Sequence, residues 1–358
     1  MKDLHGGNIY KFQREGKNDI LDYSSNINPL GVPQKFIDIA KESFDKLVNY
    51  PDPYYIDLRK KIAEFNSLDS SNIIVGNGAT EILFLYLKAL KPKKVLILAP
   101  CFAEYERALK SVSADIEYFE LKESDNFYPN IKSLKKEIET NNYDLLLFCN
   151  PNNPTGQFIK LEDIKEVVEV CENKNTKIFV DEAFIEFVEN WQEKTVSLFK
   201  NKNIFIMRAF TKFFAIPGLR LGYGIGFDDE ILNKMWDEKE PWTVNTFANL
   251  AGLVMLDDKE YIEKSEKWIL EEKKFMYKEL SEFQYLKAYK TECNFILLKI
   301  QNISSTSLRD KMIEKNILIR DASNFKFLDY HFVRLAIKDR ESNIKVLEAL
   351  VDIMEYRG

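Results

Sequence analysis

The sequence predicts an α/β protein: a large domain on a mostly parallel seven-stranded sheet, then a smaller α+β domain. Three observations carry this. Between about residues 34 and 242, short runs rich in Ile, Val, Leu and Phe alternate with amphipathic helical stretches, and alternating βα units imply a parallel sheet covered by helices. Several of these runs lack polar alternation, as strands buried on both faces do. After Trp242 the pattern changes to a long charged helical stretch followed by mixed short strands and helices.

Taken in order, residues 1–33 are rich in Gly, Asn and Ser and read as an extended N-terminal arm. Residues 34–242 read as the large domain. Its strands are expected at Asn72–Val75, Lys94–Ala99, Ile116–Phe119, Leu145–Cys149, Lys177–Val180, Ile204–Met207 and Leu221–Ile225, with helices such as Glu81–Leu90 and Leu161–Glu172 between them. Residues 243–358 read as the small domain. It is expected to hold one long helix over about Asn245–Phe283, a strand at Asn294–Ile300 and a helix near Ser307–Lys315. The run Ile317–Arg320, a strand at His331–Ile337 and a last helix from Ser342 complete it.

Composition narrows the function. A chain of 358 residues with 45% hydrophobic and 30% charged residues is an ordered globular protein. A formal charge of −6 without a basic block argues against nucleic acid or an anionic membrane as partner. The longest apolar run, Leu250–Leu256, is far short of a membrane span. The first twenty residues contain no apolar segment of the secretory kind, so a cytoplasmic location is expected. Cys101, Cys149, Cys171 and Cys293 form no CxxC and read as reduced thiols; with only His5 and His331 as histidines, no metal site is expected.

In open parallel sheets ligands bind beyond the carboxyl ends of the strands, so the residues just after each apolar run are the informative ones. After Ile73–Val75 comes Gly76-Asn77-Gly78-Ala79-Thr80 and then a helix. That stretch serves either as a tight capped turn or as a cup for an anion at a helix start; it is neither a Walker A loop nor a full GxGxxG. After Leu145–Cys149 comes Asn150-Pro151-Asn152-Asn153-Pro154-Thr155-Gly156, a turn that two prolines stiffen, able to hold an amide side chain in place. Asp181-Glu182 follows Ile178–Val180: a strand-end carboxylate that either caps the next helix or meets a buried cation. After Ile204–Met207, Lys212 stands among aromatics. A lone lysine usually snorkels to solvent, but one in an apolar pocket has a lowered pKa and attacks carbonyls. A phosphate cup, a rigid Asn, a strand-end Asp and a pocketed Lys on successive strand ends are the groups required by an aldehyde cofactor with a phosphate, a phenolic oxygen and a ring nitrogen, namely pyridoxal 5'-phosphate.

At these residues the chain resembles the fold-type I pyridoxal-phosphate enzymes, aspartate aminotransferase-like in fold, over essentially its whole length. The motifs are Asn150–Gly156 (NPNNPTG), Val180–Phe184 (VDEAF) and Thr211–Gly224 (TKFFAIPGLRLGYG). They are similar to the histidinol-phosphate aminotransferase branch. The N-terminal His5–Asn8 (HGGN), Ser24–Gly31 (SSNINPLG) and Asn49–Pro53 (NYPDP) resemble the threonine-phosphate decarboxylases of cobalamin biosynthesis more than the aminotransferases.

The resemblance implies roles. Lys212 would link to the cofactor aldehyde, Asp181 would pair with the ring nitrogen and Asn153 would bond the phenolic oxygen. Phe102 would stack on one face of the ring and Ala183 on the other. Ala79, Thr80, Thr211 and Arg220 would hold the cofactor phosphate, and Tyr50 would reach the phosphate of the other subunit in a homodimer with shared active sites. Arg334 would pair with the substrate carboxylate, and Arg320, His5 and Asn28 would lie near the substrate phosphate. Two positions depart from the family pattern: Ala209 stands where a Ser or Thr phosphate ligand is usual, and Phe184 where the aminotransferases carry Tyr.

The activity implied is decarboxylation of a small phosphorylated amino acid, O-phospho-L-threonine, to (R)-1-amino-2-propanol O-2-phosphate. O-phospho-L-serine, giving ethanolamine phosphate, is a second candidate substrate. Histidinol-phosphate aminotransferase is the alternative. An inert pyridoxal-phosphate regulator is disfavoured because no DNA-binding appendage is visible, and a nucleotide-binding Rossmann module because its fingerprint is incomplete.

Overall fold

The computed structural model describes residues 6–354. Its strands are β1 (Leu21–Asp22), β2 (Ile73–Asn77), β3 (Lys94–Ala99), β4 (Asp115–Glu120), β5 (Leu145–Cys149), β6 (Lys177–Asp181), β7 (Ile204–Ala209), β8 (Leu221–Gly226), β9 (Leu286–Ala288), β10 (Phe295–Ile300), β11 (Ile317–Leu318), β12 (Arg320–Asp321) and β13 (Phe332–Ala336). Each of the seven apolar runs before Trp242 forms a strand, and together they make one sheet in the order β2-β8-β7-β6-β5-β3-β4. Neighbours from β7 through β4 run parallel, while β8 lies antiparallel to both β2 and β7.

Alternation of side chains across the sheet explains why the runs are apolar throughout. Leu96, Leu146, Ile178 and Ile204 pack into the core on one face, and Val95, Leu147, Phe179 and Phe205 into the core on the other. Helices cover both faces, among them Ala79–Leu90 and Leu161–Asn173. The edge strand β4 alternates charge with apolar residues and is only half-buried. A second sheet, β12-β13-β10-β9, is antiparallel. No helix among the described residues is long and apolar enough to cross a membrane.

Three expectations are corrected. The N-terminal arm is not simply extended: Ile9–Arg14 is helical, anchored by buried Phe12, and β1 pairs in parallel with β11. A two-residue strand whose partner lies almost 300 residues away leaves no local pattern to read. The long helix over Asn245–Phe283 is two helices, Thr246–Met255 and Lys259–Ser281, because the Asp258 side chain accepts from Tyr261 N and caps the second. The run Ile317–Arg320 is divided between two sheets, β11 pairing with β1 and β12 with β13.

The ends of β6 and β7 are joined by a fully buried ion pair. Arg208 donates to Glu182 Oε2 from Nη2 (2.8 Å) and Nε (3.0 Å), and neither side chain is exposed. Glu182 also accepts from Thr195 Oγ1 and Val196 N, both at 2.8 Å, so the carboxylate is saturated. Removing one partner of such a pair strands the other charge. Glu182→Ala is expected to lower unfolding stability by about 3–5 kcal/mol, whereas Glu182→Leu with Arg208→Met should recover most of that loss. Urea unfolding of both variants checks it, and a single-variant loss below about 1 kcal/mol contradicts it.

Candidate active site

The carboxyl ends of β2, β3, β5, β6 and β7 open onto a cavity of about 470 Å³. Eleven of the fourteen expected site residues line it: Ala79, Thr80, Phe102, Asn153, Asp181, Ala183, Thr211, Lys212, Arg220, Arg320 and Arg334. At one end, the helix Ala79–Leu90 begins beside the Arg220 guanidinium. Gly78 (φ +79°) makes the turn into that helix, and a Cβ there would collide with Arg220. A Cβ on Gly222 would strike Ala79 N, so this glycine lets β8 approach the helix start. A guanidinium and a helix N-terminus thus stand at one end of a cavity that Thr211 also lines, a donor set fitted to a phosphate.

Deeper in, Asp181 is buried at the end of β6. Its Oδ2 accepts from Tyr105 OH at 2.5 Å and its Oδ1 from Ala183 N at 2.9 Å. Burial pushes its pKa up to about 6, against the pull of those two hydrogen bonds. The backbone contact means that Asp181 both caps the turn after β6 and faces the cavity. Lys212, on the short helix Phe210–Phe213, lies on the cavity wall. Desolvation, then the guanidinium groups of Arg334 and Arg220, bring its pKa down to about 8. The shift favours the unprotonated amine, the form that a nucleophile requires.

Arg334, on β13, donates from Nη1 to Asn153 Oδ1 (2.5 Å) and from Nη2 to Ser24 O (2.7 Å). Its Nε is buried with no hydrogen-bond partner among the described residues. Burial, and then Arg320, lower its pKa to about 9. Because Asn153 Oδ1 is engaged by a guanidinium, that amide offers Nδ2 as its donor. Phe184 is buried in the wall and meets Phe295 edge-on at 5.2 Å.

Two expected residues are not in the cavity. Asn28 is buried behind Lys212: its Nδ2 donates to Phe213 O and Ser265 Oγ, both at 2.8 Å, and its backbone N donates to Lys212 O at 3.1 Å. It braces the lysine segment rather than lying near a substrate phosphate. Tyr50 is 80% exposed and its ring rests on Trp242 at 4.8 Å. His5 lies outside the described residues.

Sequence reasoning missed Tyr105, the one side chain among the described residues that bonds Asp181. Its signal was its place three residues after Phe102, on the helix Glu104–Ser111; the two rings meet edge-on at 5.7 Å. Ser24 and Asn26, inside the SSNIN stretch, also line the cavity, and Asn26 Oδ1 is buried without a hydrogen-bond partner among the described residues.

Residues 18–350 match the family described as aminotransferase class I and II. The chain belongs to that family. Its fold is the fold-type I, aspartate aminotransferase-like one. It is 44% identical over 353 residues to a Caldanaerobacter subterraneus subsp. tengcongensis protein named "Putative threonine-phosphate decarboxylase", covering 98% of this chain and 94% of the relative. It is 34% identical over 353 residues to the threonine-phosphate decarboxylase of Salmonella typhimurium, covering 98% and 96%. Among solved structures, the histidinol-phosphate aminotransferase from Clostridium acetobutylicum overlays with a TM-score of 0.88 at 38% identity, over 93% of this chain and 99% of that one. Similar chains therefore carry two activities.

The raised pKa of Asp181 has a consequence for the protein without cofactor. Between its unfolded pKa near 3.8 and its folded value near 6, the folded state holds the extra proton. Stability due to this group is thus present below the lower value and is lost as pH rises through the upper one. Cofactor-free Asp181→Asn is expected to be more stable than the parent at pH 8 by up to about 3 kcal/mol, with the gain gone by about pH 4. Urea midpoints of both proteins at the two pH values measure this, and no gain at pH 8 counts against a buried charge.

Proposed function

We propose that this chain decarboxylates O-phospho-L-threonine with pyridoxal 5'-phosphate, releasing CO2 and (R)-1-amino-2-propanol O-2-phosphate, a step of cobalamin biosynthesis. The observation that carries this is the pair Arg320 and Arg334 on the wall that also holds Lys212. Two cations suit a substrate with both a carboxylate and a phosphate, and the unpartnered Arg334 Nε gives the carboxylate a buried donor. Histidinol phosphate has one anionic group, but its acceptor 2-oxoglutarate is a dianion that would also use both arginines, so between the two activities the likeness to two threonine-phosphate decarboxylases favours decarboxylation. The resemblance of the Clostridium acetobutylicum structure favours that aminotransferase as the second reading.

The donors present fit the cofactor. Ala79, Thr80, Thr211 and Arg220 would take its phosphate, Asn153 Nδ2 its phenolic oxygen and Asp181 its ring nitrogen, with Phe102 and Ala183 against its two faces. Bound there, pyridoxal phosphate supplies an electron sink for the bond that breaks at Cα. Tyr105 would orient Asp181 and help it stay ionised. Lys212 would hold the aldehyde, and its Nζ would be the group placed to return a proton to the substrate Cα. Arg334 and Arg320 would hold the substrate at both ends, limiting rotation about its Cα–N bond. Ala209 supplies no hydroxyl to the phosphate end.

The active unit we propose is a homodimer. Phe44, Leu47, Val48, Tyr50 and Tyr54 are large apolar side chains standing exposed on one stretch of chain, and such patches mark protein–protein contacts. Tyr50 would then serve the cofactor phosphate of the partner subunit.

The test is to incubate the purified enzyme with phosphothreonine, phosphoserine and histidinol phosphate. CO2 should be released from phosphothreonine without a keto-acid acceptor, and from phosphoserine with a kcat/KM lower by about 10–200-fold at most, the effect of one methyl group. Faster amino transfer from histidinol phosphate to 2-oxoglutarate would replace this reading by the second. Lys212→Ala should abolish turnover and the visible absorbance of the linked cofactor. Asp181→Asn should keep the cofactor but lower turnover by about 100-fold or more. Mixing Lys212→Ala subunits with inactive Tyr50 variants should restore part of the activity, since one hybrid site carries neither change; a fully active monomer rules the shared site out.

A further inference from the structure

Lys212 stands on a helix too short to hold itself. Phe210–Phe213 is one turn long, and among the described residues no side chain caps its start. A single turn makes few internal bonds against a large ordering cost, and the last carbonyls of any helix have no partner within it. The chain leaves this turn through Ala215 at φ +53°, a left-handed conformation that a residue with a Cβ keeps only where its surroundings impose it. What fixes the Lys212 backbone therefore comes from outside the turn.

Two distant elements supply it. From the N-terminal arm, Asn28 N donates to Lys212 O at 3.1 Å and Asn28 Nδ2 to Phe213 O at 2.8 Å. From the helix Lys259–Ser281, Tyr261 OH lies 3.1 Å from Phe213 O and 2.9 Å from Gly31 O, its one proton shared between turn and arm. Ser265 Oγ, one turn further along the same helix, accepts from Asn28 Nδ2 at 2.8 Å, and Asn28 Oδ1 accepts from Leu30 N at 3.0 Å. An amide engaged at both ends has one orientation. Asn28, Tyr261 and Ser265 are all buried, so water does not readily replace a lost bond.

Both elements also reach the strand that carries Arg334. Four residues before Asn28, Ser24 O accepts from Arg334 Nη2 (2.7 Å), and Tyr23 O accepts from Ala336 N (3.0 Å). On the helix, Trp268 Nε1 donates to Lys338 O (2.8 Å), just beyond β13.

We propose that Asn28 and Tyr261 are positioning residues for the reaction: they grip the carbonyl end of the Lys212 turn and set where its amine stands. Neither lines the cavity. The proposal rests on Lys212 being the amine that holds the cofactor and returns a proton to the substrate. Proton transfer requires hydrogen-bond reach, and a displacement of about 1 Å costs about 100-fold in rate. Loss of the grip therefore falls on turnover, while the arginines on the opposite wall still hold the substrate.

Asn28→Ala, Tyr261→Phe and the double variant test this in the full chain. Tyr261→Phe removes one oxygen and keeps the ring stacked on Phe214 at 6.0 Å, so it decides alone should Asn28→Ala not fold. The first readout uses cofactor-free protein. Cyanate carbamoylates only an unprotonated amine, and peptide mass spectrometry follows labelling of Lys212 against pH. The parent midpoint is expected near 8. The charged groups facing this amine are Arg334, Arg220, Asp181 and Asp22; neither substitution alters them, so a moved midpoint reports a moved amine. Each variant is expected to raise the midpoint by about half a pH unit or more. The second readout is turnover of the cofactor-loaded enzyme. Each single change is expected to lower kcat about threefold or more and the pair about 30-fold or more, with KM within about twofold of the parent. In Tyr261→Phe, a parental kcat or an unmoved midpoint overturns the proposal. So does a fall in kcat matched by an equal rise in KM, which marks general loosening. If the variants behave as expected but Lys212→Ala keeps its turnover, the grip on the turn stands and the role given to Lys212 falls.

Discussion

The buried pair Arg208–Glu182 is the constraint on which the site depends. Two acidic residues end β6, and consecutive strand positions face opposite ways. Asp181 turns into the cavity, while Glu182 turns away into the protein and meets Arg208 from the neighbouring strand end. Glu182 N also donates to Met207 O at 2.8 Å. The chain that carries Asp181 is thereby tied to the chain that, four residues after Arg208, carries Lys212. A pair with no exposed surface gains little net stability over an apolar core, but it tolerates few alternative geometries. That trade is useful where a carboxylate and an amine must stay at a set separation.

The charge balance of the cavity follows from the same architecture. Among the described residues Asp181 and Glu104 are the carboxylates that line it, whereas Lys212, Arg107, Arg220, Arg320 and Arg334 bring positive charge. Burial and mutual repulsion lower the pKa of Lys212 and of Arg334. Such a cavity is under electrostatic tension when only protein is present. On the proposed reading, anions would relieve it: a phosphate at the Arg220 end, and a carboxylate and a second phosphate at the Arg320–Arg334 end. The donors are already oriented, so binding those anions requires little rearrangement.

Most of this was legible in the sequence because the fold places its polar groups where the strands stop. Asp181 directly follows an apolar run, and Asn153 and Lys212 lie within five residues of one, so the rule about carboxyl ends of parallel strands points to them without knowledge of tertiary contacts. What was not legible shares one feature: it depends on pairing across distance. Tyr105 meets Asp181 from 76 positions away. The family resemblance puts Asn28 near the substrate phosphate, yet its amide bonds Ser265, on a helix 237 positions later, and the backbone behind Lys212. The β1–β11 pairing and the division of Ile317–Arg320 between two sheets likewise depend on partners that no local periodicity announces.

Phe184 links these levels. The family resemblance gives this position to a tyrosine that bonds the cofactor, and a phenylalanine there invites the bland reading of a strand-end apolar residue. In the structure its ring meets Phe295 edge-on, and Phe295 is the ring beneath the Arg334 guanidinium. The aromatic pair makes a dry platform. Its π-face attracts the guanidinium, whose Nε is buried without a hydrogen-bond partner among the described residues. A hydroxyl at position 184 would bring a polar group to this wall and weaken the desolvation that sharpens the need of Arg334 for an anion. On the proposed reading, the phenylalanine therefore trades a possible contact to a cofactor for a stricter demand on the substrate, which would have to bring a negative charge to this guanidinium.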